Sequence, residues 1–236
     1  MGKILGLIPA RMESTRFPGK PIVDIYGLPM VVRVYQQAQK CADLSAVFIC
    51  TDSQVIKQTA EKYGCKVILT SSKPQNGTER CAEALDLLNQ TYDYVVNIQG
   101  DEPQINPLQI EQIVHIMREN EADIVSLGNP IDDPSAFEMK NVVKVITNKN
   151  GFALDFIREI GNEQKTKMLK HVGIYGFKWD VLKAVVGLKP TENEINRGLE
   201  QLRWLENKYT IKIGMTQLIS EAVDIPSDIL KLKKYY

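Results

Sequence analysis

Short apolar runs alternate with amphipathic segments through the first half of the chain, a pattern that is typical of strands connected by helices. Apolar runs predict buried strands over residues 4–8, 47–51, 66–69, 94–98 and 124–129. Apolar residues at spacings of three and four predict helices over residues 30–41, 54–63, 78–88 and 108–120. Because strands and helices alternate, we expect right-handed crossovers and a largely parallel sheet, as in a Rossmann-like α/β fold.

The pattern changes after about residue 129. Residues 142–147 and 172–177 predict strands, residues 161–170 a polar loop, and residues 194–206 a helix. We interpret residues 130–209 as an insertion that covers the open end of the sheet and pairs with a second subunit. Residues 1–129 and 210–236 then form the core. The chain has no repeat and no low-complexity tract, which indicates a single domain.

A loop with three cationic residues follows the first predicted strand. They are Arg11, Arg16 and Lys20. Open α/β sheets bind ligands at the carboxyl ends of their strands, and three positive charges there suit a triphosphate. The loop is not a P-loop, because Ser14 and Pro21 stand where that motif requires Gly and Ser or Thr. Basic loops are also common on solvated surfaces, but Pro18 and Gly19 restrict this one and favour a binding site.

A second polar cluster follows the fourth predicted strand. Gly100 lets the backbone turn, and Asp101 and Glu102 place two carboxylates at the same sheet edge as the cationic loop. Adjacent carboxylates also begin helices and turns, although Pro103 disfavours a helical residue before it. Magnesium is usually held by one or two carboxylates together with substrate phosphates. Asp101 therefore needs one distant partner, and Asp224 is the best candidate.

Composition excludes several classes of function. The 236 residues include 29 Lys and Arg and 29 Asp and Glu, so no net charge attracts the protein to nucleic acid or to an anionic membrane. The four cysteines lack metal-ligand spacing and the chain has two histidines, so neither a zinc site nor a disulfide framework is expected. The first strand leaves no room for a signal peptide, and no apolar run approaches the roughly 20 residues of a membrane span. We therefore expect a cytoplasmic protein.

Six motifs occur in order over nearly the whole chain. They are the cationic loop at residues 5–20, QNGTER at 75–80, NIQGDEP at 97–103, KHVGIY at 170–175, LEQLR at 199–203 and VDIP at 223–226. In this order they resemble the motifs of the 3-deoxy-manno-octulosonate (Kdo) cytidylyltransferases of Gram-negative bacteria. The cationic loop alone does not separate this family from related sugar nucleotidyltransferases, so the whole set carries the resemblance.

The resemblance implies a three-layer nucleotidyltransferase fold in which residues 130–209 serve in sugar binding and dimerisation. The anomeric hydroxyl of a 2-keto sugar acid attacks the α-phosphate of CTP and gives a CMP-sugar and pyrophosphate, for lipopolysaccharide or capsule synthesis. The implied cofactor is Mg²⁺, held by Asp101 and Asp224, and the implied catalytic residues are these two with Arg11 and Lys20. The residues implied in nucleotide binding are Ala10, Arg11, Arg16, Lys20, Asn76, Gly77, Thr78, Arg80 and Gln99. The implied partners are CTP, the sugar acid and a second copy of the chain, without nucleic acid or membrane insertion.

The sugar acid is implied to bind through residues of the second half of the chain. They are Arg158, His171, Tyr175, Glu200 and Gln201. Arg158 suits the carboxylate of the sugar because a guanidinium can bind it bidentately. Two alternatives stay open: His171 as an ordinary strand histidine, and Glu200 paired with Arg203 on a helix surface.

The second half also departs from the family pattern. Residues 155–161 read DFIREIG in place of Tyr-Phe-Ser-Arg and a proline-containing turn, and Arg197 stands where Glu is frequent. Asp155 and Glu159 add negative charge, so an aminated sugar such as 8-amino-Kdo is an alternative to Kdo. A nucleotide-binding paralogue without turnover, or an interaction module, is the alternative to an enzyme. The presence of both metal carboxylates beside the cationic loop favours the enzyme.

Overall fold

The computed structural model describes residues 2–14, 16–88, 90–119, 121–159 and 168–235 and divides the chain into two compact units. The first comprises residues 1–111 and 219–236, and the second comprises residues 112–218. The boundary precedes the strand at residues 124–130 instead of following it, because that strand pairs with strands of the second unit. The roles assigned to the core and the insertion stay predictions.

The described residues form strands and helices in the following order. The strands are β1 (Ile4–Pro9), β2 (Asp24–Ile25), β3 (Leu28–Pro29), β4 (Ala46–Thr51), β5 (Val67–Leu69), β6 (Tyr94–Asn97), β7 (Ile124–Pro130), β8 (Lys144–Thr147), β9 (Ala153–Ile157), β10 (Met168–Lys178) and β11 (Ile211–Met215). The α-helices are α1 (Met30–Gln39), α2 (Gln54–Glu61), α3 (Gly77–Leu87), α4 (Pro107–Glu119), α5 (Trp179–Val186), α6 (Glu192–Arg197), α7 (Gln201–Glu206) and α8 (Asp228–Lys231). Short 3₁₀ helices lie at Lys20–Ile22, Pro134–Phe137 and Leu232–Tyr235.

In the first unit, β6, β1, β4 and β5 form a parallel sheet in that order. Leu5 on the central strand β1 lies opposite Ala46 on one side and Val95 on the other. All of β1 except its last residue is buried, so this strand forms the middle of the apolar core. The carboxyl ends of parallel strands share one edge, and the segments after β1 and β6 therefore begin side by side. The predicted α/β class with a mostly parallel sheet is confirmed.

The second unit has a mixed sheet around β7. β11 pairs with β7 in parallel, β10 pairs with β7 antiparallel, and β8 and β9 extend the sheet antiparallel from β10. Trp204 packs against Tyr175 and Phe177, with ring centroids 5.2 and 5.3 Å apart, respectively. Trp204 is fully buried, so this aromatic cluster joins β10 to α7 and stabilises the unit.

Several predicted elements differ from those observed. The helix predicted over residues 194–206 is two helices, because Gly198 between α6 and α7 has φ +61° in the left-handed region. The predicted loop over residues 161–170 is wrong in its last three residues, which begin β10 and pair with β8. Residues 161–167 lie outside the described residues. None of the helices in the described part of the chain is long and apolar enough to cross a membrane.

Candidate active site

A cavity of about 800 Å³ lies at the carboxyl edge of the sheet in the first unit. It is lined by the segments that follow β1 and β6, by the start of α3, and by one residue near the carboxyl terminus. Ten of the residues predicted to bind nucleotide or metal line it: Ala10, Arg11, Arg16, Lys20, Asn76, Gly77, Arg80, Gln99, Asp101 and Asp224. The remaining one, Thr78, does not line the cavity and is buried in the first turn of α3.

The backbone of the cationic loop closes on itself. The Gly19 N–H donates to the Met12 carbonyl at 3.1 Å, and the Phe17 N–H donates to the Ser14 hydroxyl at 3.3 Å. Gly19 has φ +72°, a conformation that residues with a Cβ rarely adopt. The turn leads directly into the 3₁₀ helix that begins at Lys20, and this local structure directs the lysine into the cavity.

The ammonium of Lys20 lies between two carboxylates. Its Nζ atom is 2.7 Å from Asp101 Oδ2 and 3.7 Å from Asp224 Oδ1. The Arg16 Nη1 atom is 3.3 Å from Asp224 Oδ2, and the Arg11 guanidinium donates to the Gln75 carbonyl at 3.2 Å. The structure thus brings the cationic loop together with both carboxylates, although Asp101 and Asp224 are far apart in sequence.

Backbone contacts hold the two carboxylate segments together. The Val223 N–H donates to the Asp101 carbonyl at 2.9 Å. Asp228 Oδ2 accepts hydrogen bonds from the N–H groups of Asp224 and Ile225, both at 3.0 Å, and so fixes the turn that carries Asp224. Asp228 was not predicted from sequence, although an acidic residue at the first position of a helix after a proline turn is a signal for such a role.

The neighbouring residues of the acidic cluster have structural roles. Glu102 is 8 % exposed and accepts a hydrogen bond from the Ser220 hydroxyl at 2.6 Å. A Cβ atom at Gly100 would lie 2.6 Å from the carbonyl oxygen of Pro9, which is closer than such atoms approach. Glycine is therefore required where the ends of β1 and β6 meet, and this close approach keeps the acidic cluster beside the cationic loop.

The oxygen donors at this site fit a magnesium ion. Within the described ranges, no group of three or more His, Cys, Asp and Glu side chains could hold a metal. Asp101 and Asp224 already share one cation, and their side chains are 31 % and 41 % exposed. Magnesium prefers oxygen ligands and commonly takes only one or two from protein carboxylates, with phosphates and water filling the other positions. Two carboxylates at a cavity wall are therefore sufficient.

The start of α3 brings the predicted base-binding segment to the cavity. Asn76 caps the helix, since its side-chain oxygen accepts the Glu79 N–H at 2.8 Å. A Cβ atom at Gly77 would lie 3.1 Å from Cγ of Pro9, the last residue of β1, which is a tight contact, so glycine eases the approach of the two segments. Arg80 is 3 % exposed and donates to Asp52 at 3.0 Å. Its guanidinium therefore anchors α3 and supports the segment before it.

The residues predicted to bind the sugar all lie in the second unit. They are Arg158 after β9, His171 and Tyr175 on β10, and Glu200 and Gln201 at the start of α7. The Arg158 guanidinium donates to the carbonyls of Arg197 and Gly198 at 3.2 and 3.3 Å, just before Glu200 in sequence. The rings of His171 and Tyr175 are 5.4 Å apart between centroids.

Burial favours the uncharged forms of two of these side chains. It lowers the pKa of His171 to about 3, which leaves the imidazole neutral. Burial, followed by the negative charge of Glu200, raises the pKa of Tyr175, so the phenol keeps its proton. His171 Nε2 is 2.9 Å from the hydroxyl of Ser126 on β7, a residue that the sequence analysis missed because a serine within a strand gives no distinctive pattern.

The acidic residues of the altered segment have cationic partners within the protein. Both carboxylate oxygens of Asp155 accept from Arg197 Nη1, at 2.9 and 3.0 Å. Glu159 Oε1 is 2.7 Å from Lys140 Nζ, and this pair lowers the pKa of Glu159. These ion pairs offset the negative charge that was expected to favour an amino sugar, and the choice between Kdo and 8-amino-Kdo stays a prediction.

Arg203 also has a partner other than the one considered from sequence. It is 5 % exposed and donates to Glu194, with the Nε contact at 2.7 Å. This buried ion pair joins α6 to α7, so Arg203 has a structural role inside the second unit.

A parallel sheet with a cationic loop after its first strand and two carboxylates at the same edge defines an α/β nucleotidyltransferase. The sequence profile described as cytidylyltransferase matches residues 5–213. A 3-deoxy-manno-octulosonate cytidylyltransferase of Parabacteroides distasonis is 40 % identical over 98 % of this chain and 97 % of its own length. The enzyme of that name from Zea mays is 38 % identical over 98 % of this chain and 80 % of its own length.

A solved structure of CMP:2-keto-3-deoxy-manno-octonic acid synthetase complexed with CTP matches this fold with a TM-score of 0.91 and 33 % identity. The match covers 99 % of this chain and 98 % of the other. The chain belongs to the 3-deoxy-manno-octulosonate cytidylyltransferase family, so the resemblance stated from the six motifs is confirmed.

Proposed function

We propose that the protein transfers CMP from CTP to Kdo and releases pyrophosphate. The observation that carries the proposal is the convergence of Asp101 and Asp224 on the ammonium of Lys20 in the cavity of the first unit. The names of the relatives, which specify Kdo, support the choice of sugar.

The cationic loop provides the charges that a triphosphate requires. Arg11, Arg16 and Lys20 line one cavity, and nucleotidyl transfer depends on positioning and on neutralising charge at the reacting phosphate. Asp101 and Asp224 would hold Mg²⁺, which when bound supplies positive charge at the α-phosphate. Arg16 and Lys20 now pair with these carboxylates, so both cations exchange a carboxylate for phosphate oxygens when the substrate enters.

In the second unit, we assign the carboxylate of the sugar to Arg158. Backbone carbonyls of Lys140, Arg197 and Gly198 orient its guanidinium, and none of the described residues forms an ion pair with it. His171 and Tyr175 are uncharged, so they bind sugar hydroxyls by hydrogen bonds without competing for the carboxylate. Glu200 and Gln201 complete the proposed set with an acceptor and an amide.

The test is pyrophosphate release with CTP and Mg²⁺ across a panel of 2-keto sugar acids. We expect release with Kdo, and we expect Asp101→Asn to abolish it, since the amide has no charge to hold the ion. The matched control is Glu13→Gln, which removes a carboxylate from an exposed position of the same cavity and should keep the activity. No release with any acid would instead favour a protein that binds nucleotide without turnover.

We further infer a homodimer, a cytoplasmic location and a role in lipopolysaccharide or capsule synthesis. Support for the dimer comes from two exposed apolar side chains of the second unit, Leu154 on β9 at 61 % and Ile195 on α6 at 68 %. Light scattering after gel filtration should give twice the mass of the chain. Leu154→Lys should shift the protein toward the monomer, whereas Leu230→Lys, an exposed leucine of the first unit, should not.

A further inference from the structure

Ser126 is a fully buried polar residue in the middle of β7. Its Oγ atom lies 2.9 Å from His171 Nε2, 3.0 Å from the Val172 carbonyl and 2.8 Å from the Ile174 carbonyl. The register between β7 and β10 shifts at this point, so that Val172 and Tyr175 are successive partners along β7. The irregular segment turns two carbonyl groups toward one hydroxyl.

The chemistry of these three partners decides which nitrogen of His171 bears the proton. A serine hydroxyl has one hydrogen to donate, and a carbonyl oxygen only accepts. If the hydrogen pointed to Nε2, the Oγ lone pairs would face two carbonyl oxygens at 2.8 and 3.0 Å without a proton between them. The hydroxyl therefore donates to a carbonyl and accepts from Nε2–H. Nδ1 is then the ring nitrogen with the lone pair.

We propose that Ser126 is a positioning residue that holds His171 in its Nε2–H tautomer, so that Nδ1 accepts a hydrogen bond from a hydroxyl group of the acid sugar. The proposal rests on the proposed function, in which His171 faces the sugar. It adds that the imidazole acts only as an acceptor in this site. A sugar hydroxyl can donate to such a nitrogen, whereas a group without a hydrogen to donate cannot.

The other contacts of the ring orient it without choosing the tautomer. Phe156 lies edge-to-face with His171 at 5.1 Å between centroids and an interplanar angle of 82°, and the tilted ring of Tyr175 lies at 5.4 Å. Such contacts depend on the plane of the imidazole rather than on which nitrogen is protonated. The choice of tautomer therefore depends on Ser126.

The direct test requires no change at Ser126. The chain has two histidines, so ¹⁵N-histidine labelling gives two sets of ring signals, and His115→Gln identifies those of His171. At neutral pH we expect a single neutral tautomer for His171 with the proton on Nε2. A protonated Nδ1, or an averaged mixture of tautomers, would overturn the proposal.

The second test separates the role of Ser126 from a purely structural one. Ser126→Ala should give mixed tautomers of His171 and raise KM for Kdo about three- to tenfold, while kcat and KM for CTP stay unchanged. Ser126→Thr keeps the hydroxyl and should restore both the tautomer and KM. In a His171→Gln background, Ser126→Ala should have no further effect on KM, because the residue acts through the imidazole.

The outcomes distinguish a failure of the role proposed for Ser126 from a failure of the assignment of His171 to the sugar. If Ser126→Ala changes the tautomer but not KM for Kdo, His171 does not bind the sugar and the sugar assignment of the proposed function fails with this proposal. If pyrophosphate release persists but the wild-type tautomer is Nδ1–H, only the role of Ser126 is overturned. If Ser126→Ala does not fold, the spectrum of the wild-type protein and the threonine variant still decide the matter.

Discussion

The environment of His171 makes the stability of the fold depend on pH. Burial lowers the pKa of His171 from 6.5 to about 3. In the unfolded chain the same ring is in water, and its pKa returns to about 6.5. Between these two values the unfolded state binds a proton that the folded state does not, so the free energy of unfolding decreases as the pH falls. Above the pKa of the unfolded state, about 6.5, His171 adds no pH dependence to the free energy of unfolding.

We therefore expect His171→Gln to flatten the acid side of the stability curve. Urea unfolding at about pH 5 and about pH 7.5 should show a smaller difference for the variant than for the wild type. His115→Gln, a change at an exposed histidine, is the matched control and should leave the difference as it is. An equal decrease in wild type and His171→Gln would mean that the ring titrates normally in the folded protein.

Asp155 and Glu159 show how a neighbour changes the meaning of a charged residue. From sequence they are two free carboxylates, but Arg197 and Lys140 pair with them in the structure. The double variant Asp155→Asn, Glu159→Gln should therefore change the ratio of kcat/KM between Kdo and 8-amino-Kdo by less than about twofold, since exposed ion pairs contribute little. Rates measured with both sugars check this, and a tenfold change would restore the carboxylates to the sugar site.

At the scale of elements, the turn before α8 controls the position of Asp224. Asp228 accepts two backbone N–H groups of this turn, so Asp228→Ala leaves both without their acceptor and frees the carboxylate of Asp224 to move. We expect weaker binding of Mn²⁺, measured by electron paramagnetic resonance, and a kcat/KM about tenfold lower. Lys231→Gln removes the 2.7 Å ion pair with Asp228 but keeps the turn, so it should behave as the wild type.

The sequence predicts the parallel strands and helices of the first unit well because each is specified by its own residues. The strand predicted over residues 94–98 and the helix over residues 54–63 correspond to β6 and α2. β6 is buried at three successive positions, as an apolar run predicts, and α2 buries Ile56 and Ala60 at a spacing of four. β9 and β11 were not predicted, since each forms by pairing with β8 or β7 and has no distinctive apolar run of its own. Gly198 divides the helix after residue 194 because of its backbone conformation, which a periodicity of apolar residues does not reveal.

At the scale of the whole molecule, the site was predictable where the order of strands in the sheet determines which residues lie close together. Lys20 and Asp101 each follow a strand of one parallel sheet, so their proximity follows from the order of elements alone. Asp224 does not directly follow a strand, so its place beside Asp101 does not follow from the order of elements. It was chosen from sequence as the distant second carboxylate, and a family motif supported that choice. Ser126 and Asp228 act through specific hydrogen bonds to backbone or ring atoms, and the apolar periodicity of the sequence does not reveal such contacts.

The division into two units yields the final prediction, which concerns where each substrate binds. The residues proposed for CTP and Mg²⁺ all lie in the first unit, and those proposed for the sugar all lie in the second. Hydrogen exchange with CTP and Mg²⁺ should therefore slow at residues 11–20, 75–80, 99–102 and 220–228, because a bound ligand suppresses local opening. Kdo should instead protect residues 168–178 and 198–203.

UTP at the same concentration is the matched ligand for this experiment. Cytosine has an amino donor where uracil has a carbonyl, so a site built for one leaves polar groups unpaired with the other, and protection by UTP should be weaker. Asp224→Asn should lose the protection that Mg²⁺ adds to that of CTP. Protection by CTP that appears first in residues 168–178, with residues 11–20 unchanged, would place the nucleotide in the second unit and contradict the assignment of the cationic loop.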